Sequence, residues 1–105
     1  MADAVTSFER ALALKPNYAE AHNNLGKALK DQGKLANAVT SFERALALKP
    51  DDAEAHTNLG NALKDQGKLD AAVMSYQRAL ALKPDYVEAH NNLGCLLYTS
   101  HAADE

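Results

Sequence analysis

Residues 19–52 read AEAHNNLGKALKDQGKLANAVTSFERALALKPDD, and residues 53–86 read AEAHTNLGNALKDQGKLDAAVMSYQRALALKPDY. The two stretches are tandem copies of one 34-residue unit, and the same register runs outward from both. Pro16, Pro50 and Pro84 keep the period, as do Phe8, Phe42 and Tyr76, and Gly26, Gly60 and Gly94. Self-similarity at a fixed period of this size is the signature of a stacked repeat architecture, so it outranks any residue-by-residue reading. The chain accordingly divides into the second half of a repeat at 1–18, complete repeats at 19–52 and 53–86, and the first helix of a further repeat at 87–98. Residues 99–105 are expected to be a disordered tail.

Within a unit, Ala21, Leu25, Ala28 and Leu29 recur at spacings of three and four, which puts them on one stripe of a helix. Leu35, Ala38, Val39, Phe42, Ala45 and Leu46 form a second stripe. Between the stripes stands DQGK, where Gly33 can adopt the left-handed conformation that ends a helix without a Cβ penalty. After the second stripe, Lys49 precedes a proline and is pushed out of helical geometry, and Asp52 can cap the next start. Each unit is therefore a helix–turn–helix. The expected helices are about 2–14, 20–32, 35–48, 54–66 and 69–82, with a last one from about 88. None can bury its stripe alone. Stacking would give a continuous core in which Leu25, Leu29, Leu59, Leu63, Phe42 and Tyr76 each contribute about 1.5–3 kcal/mol. Small residues at Gly26, Ala38 and Ala45 would permit close helix contact.

Composition agrees with an all-α fold. Apolar residues make up 47% of the chain and aromatics only 6%, so helix-forming Ala and Leu carry the apolar content. The net charge of -3, with acids and bases interleaved, offers no basic stripe for phosphates, which argues against a nucleic-acid partner. The opening MADAVTSFER lacks the apolar core of a signal peptide, and no apolar run approaches the roughly eighteen residues a membrane span needs. A cytoplasmic or nuclear location and no membrane partner are expected on those grounds. The single cysteine, Cys95, makes no internal disulfide.

The unit resembles the tetratricopeptide repeat. The large, Gly, Leu, Ala, aromatic, Ala and Pro positions of that family's pattern are met by Leu25, Gly26, Leu29, Ala38, Phe42, Ala45 and Pro50. The next copy meets them again with Leu59, Gly60, Leu63, Ala72, Tyr76, Ala79 and Pro84. His22, His56 and His90 depart from it, standing where the family often has a bulky aromatic, and are expected to thin the packing there. The wording AHNNLG and LKPD is similar to the repeat arrays of peptide O-linked N-acetylglucosaminyltransferases and related bacterial proteins. The resemblance covers residues 4–94. It implies a right-handed α-solenoid of antiparallel helix pairs whose first helices line a concave, peptide-binding groove.

On that geometry the groove would carry Asn23, Asn24, Lys27 and Lys30, then Asn58, Asn61 and Lys64, then Asn92. Asn24, Asn58 and Asn92 share one repeat position, and a carboxamide can both accept from a peptide N–H and donate to a peptide C=O. Such a ladder would read the backbone of extended or disordered protein segments. The same placement also suits side chains that only tie neighbouring helices together. A second family mode, clamping the free carboxylate of chaperone tails with basic residues, is disfavoured. Asn23, Thr57 and Asn91 occupy one expected basic position, and Glu20, Glu54 and Glu88 another.

Chemistry is not expected of this chain. The three repeat-related histidines would stand about one helix-pair spacing apart and cannot converge on a metal, whose ligands must all lie about 2 Å from it. No phosphate loop or nucleophile–base pair appears, so no catalytic residue, metal or cofactor is assigned and the chain is not read as an enzyme. Residues 95–105, CLLYTSHAADE, leave the repeat register and resemble a translated sequencing adapter that differs only at His101, which marks them as non-native. Leu93 and Leu97 would leave an apolar stripe on the last helix, open to weak self-association. With no polar capping helix in the sequence, the chain reads as a fragment of a longer array.

Overall fold

The computed structural model describes residues 3–103, which form six helices: α1 (Ala4–Leu14), α2 (Ala19–Asp31), α3 (Leu35–Leu48), α4 (Ala53–Asp65), α5 (Leu69–Leu82) and α6 (Val87–Ala103). Met1 and Ala2 lie outside the described residues, as do Asp104 and Glu105. Two helix starts, those of α1 and α4, carry a side-chain cap, whereas α2, α3 and α5 have none. The Thr6 N–H donates to Asp3 Oδ1 at 2.8 Å, which begins α1 at Ala4 rather than at residue 2. Asp52 does the same for α4 through the Ala55 N–H at 3.2 Å. The turns inside each pair behave as their glycines require. Gly33 and Gly67 have φ of 78° and 80°, and the Lys34 and Lys68 N–H groups close back on the Leu29 and Leu63 carbonyls at 2.9 Å.

The expected core is where the register puts it. Phe42 and Tyr76 are fully buried, as are Ala38 and Ala72, while Leu25, Leu29 and Leu63 are buried and Leu59 packs half-buried against both clusters. Gly26 and Gly60 are the residues that let the pairs close. A Cβ on Gly26 would lie 2.6 Å from Phe42 Cε1, and one on Gly60 would lie 2.7 Å from Tyr76 Cε1.

Stacking gives an elongated body of 50 × 26 × 18 Å. Each helix packs on its chain neighbours. In addition α2 approaches α4 and α4 approaches α6, whereas among the described residues no such contact joins α1 to α3 or α3 to α5. The stack therefore closes up along α2, α4 and α6, and these three line its inner face.

One difference from the sequence reading stands out. The helical backbone of α6 runs on to Ala103, through residues 99–103 where a disordered tail is expected. No Gly or Pro interrupts the segment after Gly94, and Ala102 and Ala103 favour helix. Of the three repeat-related histidines, His22 and His56 are buried and His90 is exposed. In each case Nε2 lies within hydrogen-bond reach of the proline carbonyl six residues upstream. The distances are 2.9 Å to Pro16, 2.9 Å to Pro50 and 2.6 Å to Pro84. A carbonyl only accepts, so Nε2 carries the proton and the imidazole clamps the inter-repeat turn onto the helix that follows.

Candidate functional site: the carboxamide face of the first helices

The inner face is built from repeat positions five, six and nine of α2, α4 and α6. Asn58 on α4 donates from Nδ2 to Asn23 Oδ1 on α2 at 3.2 Å, with Asn23 itself buried. Strict repetition would next pair Asn92 with residue 57. That position holds Thr57, which is fully buried and turns its hydroxyl to the Ala53 carbonyl of its own helix at 3.1 Å. Asn92 therefore donates to Asn61 Oδ1 at 2.9 Å, one helical turn further along α4. The same oxygen accepts the Tyr76 hydroxyl at 2.5 Å. Burial pushes the Tyr76 phenol up to about 12, with the carboxylates of Asp65 and Glu88 adding to the shift.

The structure thus brings Asn23, Asn58, Asn61 and Asn92 together as two cross-helix rungs. Asn24 is half-buried and stands apart from the rungs, lining a small polar recess of about 470 Å³ with Tyr18, Glu20, Asn23, Lys49, Asp52 and Glu54. The lysines lie at the rim. Lys27 Nζ sits 3.8 Å from Glu54 Oε1 and Lys30 Nζ 3.5 Å from Asp65 Oδ2, both pairs exposed enough that each contributes little to stability. Lys64, in the last turn of α4, is exposed.

A second concavity was not foreseen. Between α3 and α5, with His56, Leu59 and Leu63 of α4 as its floor, lies an apolar groove of about 650 Å³. It is on the side of α4 away from Asn58 and Asn61. Met74, 55% exposed in its wall, stands where the preceding repeat has Thr40, and that exchange is the only sequence signal for it. Among the described residues, no three His, Cys, Asp or Glu side chains are grouped to hold a metal, and no helix is long and apolar enough to cross a membrane.

Paired antiparallel helices stacked in register, each pair closed by an aromatic ring on a glycine, define an all-α helical-repeat solenoid. The model of the TPR repeat matches residues 2–33, 28–67 and 60–100, and the chain belongs to the tetratricopeptide repeat family. No curated protein matches it. Among solved structures it is similar to a mutant O-GlcNAc transferase of Thermobaculum terrenum, at 37% identity and a TM-score of 0.84 over 90% of the chain. The chain spans 19% of the length of that transferase. It is 30% identical to MamA, with a TM-score of 0.87, covering 95% of this chain and 58% of that one. The first TPR of Spaghetti (RPAP3), solved bound to an HSP90 peptide, is 26% identical with a TM-score of 0.88, covering 96% of this chain and 78% of that one.

Proposed function

We propose that the chain is a protein-interaction module whose repeats at 19–52 and 53–86 bind extended polypeptide along the face of α2, α4 and α6. The observation that carries this reading is the pair of carboxamide rungs. Asn58 and Asn92 each commit one amide hydrogen to a neighbouring helix, which fixes the side chain and leaves a second hydrogen and an oxygen for a ligand backbone. Asn24 offers the same groups at the edge of the polar recess, and Lys27, Lys30 and Lys64 supply positive charge at the rim. Neighbouring helices are about 8–10 Å apart and an extended chain advances about 3.3–3.6 Å per residue, so a three-residue stride keeps a peptide in step with the repeats. At about 1 kcal/mol net per hydrogen bond, opposed by ordering entropy, the three asparagines Asn24, Asn58 and Asn92 support affinity no tighter than micromolar. A chaperone-type terminal carboxylate suits this face poorly, because Glu20, Glu54 and Glu88 are exposed on it and Glu54 already engages Lys27.

Peptide arrays probed with the parent chain and with Asn24→Ala/Asn58→Ala test the reading. Loss of binding to unstructured peptides without loss of helicity is the expected result, and undiminished binding overturns it.

A narrower reading is that this is the substrate-recognition repeat region of a peptide O-linked N-acetylglucosaminyltransferase. It draws support from the 37% identity to the Thermobaculum terrenum enzyme. On that reading the transfer chemistry belongs to a separate catalytic domain. Incubation of the 105-residue chain with a sugar nucleotide and acceptor peptide should give no product, and measurable turnover would contradict it.

A further inference from the structure

The apolar groove floored by α4 lies wholly inside the two complete repeats, its lining running from Glu43 to Leu82. The curvature of the stack opens it. On the inner face α2 approaches α4, whereas α3 and α5 make no such approach, so the second helices diverge over the floor. Leu46 and Pro50 on α3, Leu59 and Leu63 on α4, and Met74, Arg78 and Leu82 on α5 stand four residues apart on their own helices. Each helix therefore gives the groove one continuous stripe. The apolar wall is open to solvent, with Met74 55% exposed and Leu82 44%. The two walls also carry charges of opposite sign, the Glu43 carboxylate on α3 and the Arg78 guanidinium on α5. Both are exposed, and among the described residues neither is in an ion pair.

We propose that this groove docks an amphipathic helix of a partner protein, its apolar stripe on Leu59, Leu63 and Met74, with a basic side chain toward Glu43 and an acidic one toward Arg78. A helix fits because it satisfies its own backbone. An extended segment would lay N–H and C=O groups on a floor of Leu59, Leu63 and His56, and the His56 Nε2 is already spent on the Pro50 carbonyl at 2.9 Å. Backbone groups left unpaired there would cost free energy. The charges also fix which way the helix lies, since turning it end for end exchanges its flanks and sets like charges together. The groove is on the side of α4 away from the carboxamide rungs, so it can be filled independently of them.

The probe is a fluorescein-labelled peptide of 14 residues, the length of α3 and α5, held helical by a hydrocarbon staple on its outer face. It carries leucines along one face, lysine on one flank and glutamate on the other. Fluorescence anisotropy should give saturable binding with a Kd below about 100 μM, and the Met74 methyl resonance should shift as the site fills. Met74→Glu, at an exposed position, should keep the parent's melting temperature and weaken binding by about tenfold or more. The parent should prefer this probe to one with lysine on both flanks, and Arg78→Glu should reverse that preference. No binding, binding that Met74→Glu leaves intact, or a preference that Arg78→Glu does not reverse would overturn the proposal. So would equal binding of an unstapled, proline-interrupted probe, which would assign the groove to an extended ligand. A Met74 methyl shift that follows protein concentration alone would assign it to a second copy of the chain, and would overturn the proposal as well.

Discussion

The ring of Phe42 occupies the space that a side chain on Gly26 would need, with Cε1, Cδ1 and Cζ all within 2.9 Å of that Cβ position. The glycine is therefore kept for contact, since Gly26 lies inside α2 and shows no positive φ. Gly26→Ala sets a small gain in helix propensity, up to about 1 kcal/mol, against displacement of a fully buried ring, and overpacking of this kind costs about 1–3 kcal/mol. A lower melting temperature is expected, and one equal to the parent's would show that Phe42 can yield without cost.

The next repeat carries the same contact with Tyr76, which adds a hydroxyl and with it a pH dependence. In the folded chain the Tyr76 phenol is held up to about 12 by burial first and by Asp65 and Glu88 second. In the unfolded chain a tyrosine ionises near 10. Between those values the unfolded state holds fewer protons than the folded one, so this residue makes stability fall as pH rises, and below pH 10 it contributes no slope. Tyr76→Phe removes that component. Its melting temperature should lie below the parent's at pH 8 and approach or pass it by pH 11 in thermal scans monitored by circular dichroism. A gap that stays constant over that range would exclude the mechanism.

The helix pairs, their turns and the buried leucines were legible in the sequence because each is set locally, by a 34-residue period, a glycine or a proline. The rungs were only half legible. Asn58 and Asn92 share a repeat position, yet one bonds position five and the other position nine, because Thr57 withdraws its hydroxyl into its own helix and Asn61 replaces Lys27. Which partner an Asn finds depends on two neighbours in another copy, and no single-copy pattern encodes that. The histidine contacts were not legible for a related reason. Comparison with an aromatic position says nothing of the turn, which brings a proline carbonyl within 2.9 Å of Nε2.

The histidine clamp makes its own prediction. His56→Ala removes a buried ring and its hydrogen bond to Pro50, and the loss of one such bond costs about 0.5–1.5 kcal/mol before packing is counted. His90→Ala removes the corresponding bond at an exposed site, where water can replace it. Denaturant titration should therefore rank His56→Ala as clearly more destabilising than His90→Ala. The reverse order would mean that the clamp does not govern the turn.

Ala45 tests the packing of the second helices. It is buried at 2% exposure on α3, three residues after Phe42, and a leucine there has no void to enter. Ala45→Leu should lower stability by about 1–3 kcal/mol. Ala47→Leu, on the exposed side of the same helix, should leave it nearly unchanged. Equal melting temperatures for the two variants would place the α3 core elsewhere than at Ala38, Phe42 and Ala45.

Asn61 separates a purely structural rung from one that also binds peptide. Its Oδ1 accepts from Tyr76 on α5 and from Asn92 on α6, so Asn61→Ala leaves the buried Tyr76 hydroxyl without its acceptor, at a cost of about 1–3 kcal/mol. In a Tyr76→Phe background that hydroxyl is absent, and Asn61→Ala should then cost markedly less, with a coupling energy of about 1 kcal/mol in the double-mutant cycle. Peptide affinity supplies the second readout. If the inner face binds a backbone, Asn61→Ala should weaken peptide binding in both backgrounds alike, because the carboxamide that holds Asn92 in place is lost in each. Affinity that recovers together with stability in the double variant would assign Asn61 to the fold alone.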